Sequence, residues 1–524
     1  MIRVSQPFSK AIRIVVIIAV FAFCTVIAGA ARRIEPQGST RQEQTDLGGN
    51  ISSFPTREGI DVVSYGAKCD GSSDDTTAVQ NAIRAAGSGG MLVFPSRRRC
   101  RVARLSIVNI TGLTLSGAAA KEPSQSSPAS TGIEFTGSPS WCSSGSGGLL
   151  RVANSYNILI EGLGLYETAA GLPADCFINV SNGARIRFVR DHIGDPLTGV
   201  NTAALSLENL AQIDVIQTTI DEGFGQSIVE PAVPGNYVNL LRLIGDRFGQ
   251  QPLPFAYNYQ VDLAAPTARG SFGAQAVNIS DDAFEVGPNN LRIVSGVGVK
   301  IATNWVGDGM GMAKWTGGTA VRASCVTATN YGAYPYVFCT SGAGRTGSRE
   351  PVWSRAPGSR TPDGSISWIN DGPGVSFNLA INGEVMANVL VNPSAGNMTL
   401  NPQGASGPVV SGNSFSHALW WNLRNLATGT SVVSNNFVAD PAFPALSGLL
   451  VVGDGVTNVA SVDVRANHYT NTSRNRTPFV RLNPNSHGVI DFDASRWGAE
   501  KLTNSGSWHS MNAGAQPNTY GANP

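Results

Sequence analysis

The chain has 524 residues, more than a single compact hydrophobic core usually serves, so the sequence predicts several domains or an elongated repeat. It contains 60 Gly and 29 Pro, and only 14% of its residues are charged, which favours many short strands and tight turns over long helices. The formal net charge of +1 leaves no broad field to attract nucleic acid or an anionic membrane, so neither is an expected partner.

The N-terminus has the order of a secretory signal. Arg3, Lys10 and Arg13 precede an apolar run that is followed by small residues up to Ala31. The alternative is an uncleaved anchor, although the apolar run is shorter than the roughly 20 residues that span a bilayer. We expect residues 1–31 to be a signal peptide and the polar residues 32–54 to be a flexible leader. The predicted location is secreted or periplasmic, with the cell surface as a further destination.

The cysteines that follow the signal form an even set, which favours disulfides in an exported chain. No close Cys-x-x-Cys pair is present, so a structural zinc site is not expected. Six cysteines allow 15 pairings, and we expect neighbours in sequence to pair. The expected disulfides are Cys69 with Cys100, Cys142 with Cys176, and Cys325 with Cys339.

A strand, a turn, a helix and a second strand follow one another from Ile60. Asp74 or Asp75 is suited to cap the start of the helix, and the glycines from Gly87 to Gly90 end it. Ala78, Val79, Ala82 and Ile83 lie on one helical face, which predicts that the helix packs on a core.

This segment resembles the entry segment of the pectate-lyase superfamily, in its pectate-lyase-3-like or polygalacturonase-like branch. The resemblance is carried by Tyr-Gly-Ala, Asp-Gly, Asp-Asp-Thr, Ala-x-Gln, Ala-Ile, Gly-Gly and Phe-Pro, in that order. It implies an all-β, single-stranded right-handed parallel β-helix with an N-terminal capping helix. Families with this entry include polysaccharide lyases, glucanases, polygalacturonase relatives and phage tailspikes.

The resemblance implies an exported carbohydrate-active protein, either a polysaccharide lyase or a glycoside hydrolase acting on a linear polysaccharide. The alternative is a non-catalytic polysaccharide-binding or surface-adhesion rod, and a tailspike-like trimer is a third hypothesis. The oligomeric state is left open. No cofactor is expected except Ca²⁺, which a lyase would use.

Repeats beyond the entry segment predict stacked rungs over residues 55–311 and 372–500. Leu165, Ile193, Ile220 and Ile244 end successive strand clusters and are 28, 27 and 24 positions apart. The segment 219–226 also matches 243–250 at five of eight positions, with an offset of 24. In later rungs Asn413, Asn435 and Asn467 occupy one turn position, where asparagine adopts left-handed backbone angles and stacks in ladders.

Residues 312–371 interrupt the repeat with an aromatic-rich segment, which predicts a small inserted β module that also resembles modules of carbohydrate-binding and phage-tail proteins. Trp315, Trp353 and Trp368 are candidates for a carbohydrate-binding platform, because indole faces stack on sugar rings. The alternative is that they form the core of a module too small to close without a disulfide. Residues 501–524 are expected to be a polar tail.

Asp281 and Asp282 are the first catalytic candidates, because paired carboxylates divide acid and base work in glycoside hydrolysis. Their phrase Asp-Asp-Ala-Phe resembles the Asp-Asp-Cys-Ile motif of polygalacturonases, which implies a further aspartate one rung earlier, at Asp262. The Gly-His-Gly and Arg-Ile-Lys motifs of that family are absent. Since Asp282-Ala-Phe also resembles Asp175-Cys-Phe, the alternative is that Asp282 is a repeated turn residue.

A second set of charged residues lies in neighbouring rungs. If those rungs stack in register, Asp195, Glu222 and Asp246 form a vertical acidic stripe that invites a cation, a shifted proton or an arginine partner. Ordinary surface ion pairs are the alternative. The secondary candidates are Asp195, Asp221, Glu222, Asp246 and Arg247.

Overall fold

The protein is represented by a computed structural model, in which residues 59–510 are described with gaps. The gaps are 119–130, 138–147, 169–176, 195–202, 221–223, 232–234, 250–258, 264–272, 286–288, 308–311, 323, 331–335, 341, 357, 392–393, 403–406, 440–444, 472–478 and 492–501. The predicted signal peptide, the leader and the end of the polar tail lie outside the described residues.

The entry segment contains the predicted helix, Thr76–Ala86, after a 3₁₀ turn at Val62–Tyr65. Asp75 occupies the cap position, but its carboxylate accepts from the amides of Lys68 and Cys69 at 2.7 and 2.9 Å instead of from the helix. The apolar face of the helix is buried in the main hydrophobic core. That the helix closes the end of the stack stays a prediction.

Beyond the helix the chain coils so that strands of successive turns pair in parallel, which makes the protein a parallel β-helix. Each complete turn contributes to three faces. Three long strands, Ile178–Val189, Leu291–Ala302 and Val375–Met386, run through faces 1 and 2.

The other strands of face 1 are Leu105–Val108, Leu150–Ala153, Ala203–Leu210, Gln226–Glu230, Val261–Leu263, Ser394–Leu400, Ala418–Asn425, Gly448–Val452, Val480–Leu482 and Leu502–Asn504. Those of face 2 are Ile60–Asp61, Met91–Val93, Thr114–Ser116, Tyr156–Glu161, Ile213–Ile216, Val238–Asn239, Leu241–Ile244, Ala274–Gln275, Asn278–Ser280, Val409–Ser411, Ser431–Val433, Val459–Arg465, Ser486–Ile490 and Ser507–Ser510. Face 3 contains Asp70–Asp74, Arg99–Val102, Gly132–Phe135, Gly164–Glu167, His192–Gly194, Thr219–Ile220, Arg247–Phe248, Ala283–Glu285, Trp305–Gly307, Val389–Leu390, Ser414–Phe415, Asn436–Ala439 and His468–Asn471.

Left-handed residues form the bend between faces 1 and 2. Asn154, Asn182 and Asn209 have φ of 49°, 52° and 52° at this bend in three successive turns. Asparagine tolerates this conformation better than other residues with a β-carbon, so its recurrence fixes where each rung changes direction.

The interior of the coil is filled by aliphatic and aromatic side chains that stack from rung to rung. On face 3, the rings of Phe248 and Phe284 stack at 4.9 Å, and Phe437 stacks on Phe415 and Tyr469 at 5.2 and 5.4 Å. A single rung cannot bury these side chains, so the stability of each rung depends on its neighbours.

The observed register corrects one predicted step of the repeat. Leu165 pairs with Ile193 and Ile193 with Ile220, as expected, but Ile220 pairs with Phe248 and not with Ile244. The offset at this step is therefore 28 and not 24. The 24-residue sequence match is out of register, because Thr219 pairs with Arg247.

A ladder of side chains at the turn between faces 2 and 3 connects the rungs. Asn413 is typical: its Oδ1 accepts from the backbone and side-chain amides of Asn388, and its Nδ2 donates to Val385 O and to Oδ1 of Asn435. This confirms the predicted stacking of Asn413, Asn435 and Asn467. The left-handed backbone angles belong to the residues before them, Gly412, Ser434 and Ala466. The ladder positions are Asp191, Thr218, Asp246, Asp282, Asn304, Asn388, Asn413, Asn435 and Asn467.

The segment from Met312 to Asn370 forms sheets of its own. Its main sheet contains Met312–Lys314, Ser324–Thr327, Val337–Thr340, Arg360–Asp363 and Ile366–Asn370, and a smaller pair contains Ala320–Val321 and Gly344–Arg345. We call this segment the insert, and its predicted boundaries, 312 and 371, stay a prediction.

Two of the expected disulfides are present, Cys69–Cys100 and Cys325–Cys339. Cys142 and Cys176 lie outside the described residues. Within the described part of the chain, no helix has the length and apolar character needed to cross a bilayer.

We predict that Asn413→Ala lowers the free energy of unfolding by about 3 kcal/mol, because it leaves the buried Asn388 amide and the Val385 carbonyl without partners. Chemical denaturation would measure the change. Asn458→Ala, at an exposed position, is the control and should stay within about 0.5 kcal/mol of the parent. Equal stability of the two variants would contradict a structural role for the ladder.

Candidate functional site

The outer side of face 1 carries a row of stacked, mostly polar side chains, which we call the polar row. Its members pair in register from one rung to the next, so adjacent members are about 4.8 Å apart. The row is Ser106, Arg151, Asn179, Ser206, Val229, Asp262, Arg292, Asn378, Thr399, Arg424, Val451 and Arg481.

The polar row is more sheltered than the corresponding row on face 2, in which Asp214 is buried but four other charged members are exposed. Every member of the polar row is buried or half-buried. On face 2, by contrast, Arg187, Arg242, Lys300 and Glu384 are exposed. Because these side chains lie on the outer side of the sheet, their low exposure means that other parts of the chain cover this side.

An ion pair between two rungs occupies the centre of the row. Asp262 is 4% exposed and accepts from Nε of Arg292 at 2.7 Å and from Nη2 of the same guanidinium. Nε2 of Gln226 also donates to Asp262, at 3.2 Å. Burial raises the pKa of Asp262, while the Arg292 and Gln226 hydrogen bonds oppose that shift. The bidentate geometry fixes the carboxylate in one orientation.

Tyr259 supports this pair from the preceding turn. The Arg292 guanidinium carbon lies 5.3 Å from the centre of the Tyr259 ring, and Asn378 Nδ2 donates to the phenol oxygen at 2.9 Å. Burial raises the pKa of the Tyr259 phenol, so it remains neutral. Tyr259 and Asn378 therefore hold Arg292 in position without adding charge.

Glu230 introduces a second carboxyl group on the strand next to Asp262. It pairs with Leu263, a residue of the interior core, and its side chain is 0% exposed. Neither carboxyl oxygen has a hydrogen-bond partner among the described residues. Burial, and then the charge of Asp262, raises the pKa of Glu230 to about 8, so this group is a neutral acid at pH 7.

Arginine gives the row its charge. Arg151 and Arg481 have buried Nε atoms with no hydrogen-bond partner among the described residues, and burial lowers the pKa of Arg481. Arg424 lies over the ring of Trp421, at 5.4 Å. With Asp262 neutralised by Arg292, these three cations give the row a positive balance that suits an anionic ligand.

The three predicted catalytic aspartates are not brought together. Asp262 lies in the polar row on face 1, whereas Asp281 and Asp282 lie in the turn between faces 2 and 3. Asp281 is exposed with φ of 61°, and Asp282 is a buried ladder residue that accepts from the amide of Asp246 at 2.7 Å. The alternative interpretation, that Asp282 is a turn residue repeated from rung to rung, therefore matches its position.

Of the three residues in the expected acidic stripe, only Asp246 lies in the described part of the chain. It is a ladder residue that accepts from Thr218 N at 2.8 Å and stacks with Thr218 and Asp282. Arg247 makes a surface ion pair with Glu285 on face 3, at 2.8 Å. Asp195, Asp221 and Glu222 lie outside the described residues.

The three candidate tryptophans of the insert are buried together in its core. Trp353 stacks on Phe338 at 4.0 Å, and the indole nitrogens of Trp315 and Trp368 both donate to Asp363. Because their faces contact protein, they do not present a platform to a sugar. The alternative of a small aromatic core therefore describes their arrangement, although the disulfide Cys325–Cys339 lies in a separate cluster.

Among the described residues, no three His, Cys, Asp or Glu side chains outside the disulfide regions bring metal-ligating atoms together. The two groups of closely spaced metal-ligating atoms each contain both sulfurs of a disulfide, Cys69–Cys100 with Asp75 and Cys325–Cys339 with Asp371. Ca²⁺ takes six to eight oxygen ligands, and both oxygens of Asp262 already accept from Arg292. The polar row as described therefore does not fit this ion.

Sequence analysis missed Arg292, Tyr259 and Glu230, although one pattern identifies the register of the row. A four-residue pattern recurs at 260–263, 290–293 and 422–425. It consists of an amide residue, an aliphatic residue, a residue of the polar row and a second aliphatic residue, and Asn425 replaces the last of these in the third copy. The amides belong to a second buried set, in which Asn290 donates to Gln260 Oε1 at 2.8 Å. Aligning the rungs on these amides places Arg292 directly after Asp262.

We predict that Asp282→Asn keeps or raises stability, whereas Asp282→Ala lowers it by about 2 kcal/mol. Asparagine at position 282 keeps the oxygen that accepts from Asp246 N. Its amide also supplies a donor, as Asn304 does in the next rung, where Nδ2 donates to Ile279 O. Burial raises the pKa of Asp282 to about 7, so the neutral amide also removes the cost of ionising this position. Thermal melts of both variants at pH 6 and pH 8 would measure the effects, and a strongly destabilised Asp282→Asn would refute this account.

We predict that stability falls between about pH 5 and pH 8 and that Glu230→Gln removes part of this fall. The pKa of Glu230 is about 8 in the folded protein and near 4.5 in the unfolded chain, so unfolding releases a proton within this window. The contribution is present at low pH, is lost as the pH rises through the folded pKa, and is on the order of 5 kcal/mol at most. Denaturant titrations across this range would show it.

The matched control is Glu384→Gln, which changes an exposed carboxylate on face 2. It should leave the slope of stability against pH unchanged. A Glu230→Gln slope that matches the parent would show that Glu230 is ionised in the fold.

Comparisons with known proteins give similarity only at the level of solved structures. No protein-family model and no curated protein sequence matches the chain. A DFA-IIIase from Arthrobacter chlorophenolicus A6 without its lid has 12% identity and a TM-score of 0.44, covering 87% of this chain and 99% of its own. The catalytic unit of a GH87 alpha-1,3-glucanase from Streptomyces thermodiastaticus has 11% identity and a TM-score of 0.37, covering 79% and 68%. An alginate lyase from Paenibacillus has 12% identity and a TM-score of 0.33, covering 74% and 97%.

Proposed function

We propose that this protein is an exported carbohydrate-active enzyme, a polysaccharide lyase or glycoside hydrolase that binds a linear polysaccharide along the polar row. The observation that carries the proposal is the sheltered row itself, with the oriented Asp262–Arg292 pair at its centre. Parallel rungs offer one side chain about every 4.8 Å, so successive units of an extended polymer meet successive residues.

The composition of the row suits a sugar polymer with acidic groups. Hydroxyl groups need both donors and acceptors, which Asn378, Thr399 and Ser206 supply. Arg151 and Arg424 are suited to carboxylate or sulfate groups, because the planar guanidinium donates in a fork that matches them. Thr399 Oγ1 and Ser206 Oγ are buried and have no hydrogen-bond partner among the described residues.

Asp262 is the residue that we assign to the chemistry. Held by Arg292, it is assigned the role of an ionised carboxylate that stabilises positive charge developing on the sugar ring. Hydrolysis needs a second carboxyl group across the scissile bond, and elimination needs a base at the proton beside a uronate. Glu230 lies in the interior, so we assign it no contact with the substrate.

Export is supported by the N-terminal signal pattern and by the two disulfides, since disulfides persist in oxidising compartments. The second candidate function is a non-catalytic polysaccharide-binding or adhesion rod. It is favoured by the fact that Asp262 is fully hydrogen-bonded, as a structural ion pair would be.

We predict that purified protein cleaves at least one member of a panel of polygalacturonate, alginate and carboxyl-reduced polygalacturonate, and that Asp262→Asn lowers the rate at least about 100-fold. New reducing ends report hydrolysis or elimination, and absorbance of unsaturated uronates reports elimination alone. The loss is expected in kcat, because the substituted amide keeps the shape of the site but not its charge.

The matched control is Asp214→Asn, which changes an equally buried aspartate held by Arg242 through bonds of 2.7 and 2.6 Å on face 2. Both variants lose a bidentate ion pair, so both should lose similar stability, but only Asp262→Asn should lose activity. Binding without turnover across the panel would favour the adhesion rod. Equal activity of the two variants would remove Asp262 from the site.

A further inference from the structure

The insert docks against the outer side of face 1. Cys325, Val337 and Cys339 of the insert form one buried hydrophobic cluster with residues of four later rungs. Those residues are Val375, Ala395, Leu419, Trp421 and Val451, and together with Cys325, Val337 and Cys339 they are called the docking cluster. The disulfide Cys325–Cys339 therefore lies at the contact with the coil, while the three buried tryptophans form a separate cluster.

Polar contacts fix the insert in this position. The Trp420 indole nitrogen donates to Thr327 Oγ1 at 3.2 Å, and Lys314 Nζ lies 4.5 Å from the centre of the same ring. At the root of the insert, Asn289 Nδ2 donates to Asp371 O at 2.7 Å. Gly374 has φ of 64°, and a β-carbon there would lie 2.0 Å from Val337, so only glycine allows this close approach.

The position of Val451 shows where the insert meets the polar row. Val451 is a member of the row, is 5% exposed and belongs to the docking cluster. It lies five rungs beyond Asp262, about 24 Å along the coil, whereas the cluster begins at Val375, in the rung of Asn378, two rungs beyond Asp262. Towards the N-terminus the row continues through Val229, Ser206 and Asn179, and no residue of the docking cluster lies in those rungs.

We infer that the insert is the end wall of the cleft and restricts cleavage to a fixed distance from one end of the polysaccharide chain. This inference rests on the proposed function, and it goes beyond it by assigning the mode of attack. A polymer that extends from Asp262 towards the C-terminal rungs meets the insert after a few sugar units. The wall therefore sets the length of the released product.

The first test uses the unmodified protein and the polymer of the panel that it cleaves. The mean length of the remaining polymer, measured by size-exclusion chromatography, is compared with the number of new reducing ends during early turnover. The inference predicts short products of narrow length, with the remaining polymer close to its original size. A mean polymer length that falls steeply with the first bonds broken shows internal cleavage and overturns the inference.

A second test loosens the wall through Trp420→Ala, which removes the ring between Lys314 and Thr327. The product lengths should broaden towards longer fragments by about twofold or more. Trp305→Ala, on face 3, is the matched control and should leave the products unchanged. A narrow product distribution in Trp420→Ala whose fold is intact by thermal melting overturns the inference, and if that variant fails to fold, the first test decides.

Binding separates failure of this inference from failure of the proposed function. The Asp262→Asn protein is titrated with size-defined oligosaccharides of the panel member that it binds most tightly. Affinity that stops rising at a short length supports the wall even where no turnover is found. Affinity that keeps rising up to the full polymer overturns the wall and leaves the proposed function intact, whereas binding of no panel member overturns both.

Discussion

Parallel stacking at about 4.8 Å is the constraint on which the rest of this structure depends, because it places each side chain directly over its counterpart in the next rung. A polar group at a buried turn is then satisfied by a similar group above or below it and by the backbone of the adjacent rung. Asparagine meets this requirement because its amide both accepts and donates, and in the C-terminal half Asn388, Asn413 and Asn435 form a continuous chain of such bonds.

The same geometry explains why the N-terminal half of the ladder is sensitive to protons. Asp191, Asp246 and Asp282 occupy positions that asparagine fills later, but an ionised carboxylate accepts without donating. Burial raises the pKa of each, and the proximity of Asp246 and Asp282 adds to the shift of Asp246. A protonated carboxyl group can donate as an amide does, so these positions favour the neutral acid. Buried aspartates in this protein are therefore evidence of rung architecture before they are evidence of catalysis.

The sequence predicted the features that are local and missed those that depend on register. Helix Thr76–Ala86, the Asn413, Asn435 and Asn467 ladder and two disulfides follow from short-range patterns, so they could be predicted. The segments between face 3 and face 1 vary in length, so the number of residues per rung is not constant. For the rung after Ile220, a chance sequence match at an offset of 24 therefore led to a wrong prediction, because the observed offset is 28. The pairing of Asp262 with Arg292 spans 30 residues and becomes visible only when the amides before them, Gln260 and Asn290, are aligned.

The insert shows why a concentration of tryptophan does not by itself locate a binding surface. A module of this size has little interior, so large rings give the most buried apolar area per residue, and their N–H groups need internal acceptors such as Asp363. Once Trp315, Trp353 and Trp368 are committed to that core, the insert can act on a ligand only through the surface that it covers or leaves open. That surface is the later part of face 1, where Val375, Ala395, Leu419, Trp421 and Val451 share a buried cluster with the insert. The functional consequence of the insert therefore follows from where it docks and not from the residues that made it conspicuous in the sequence.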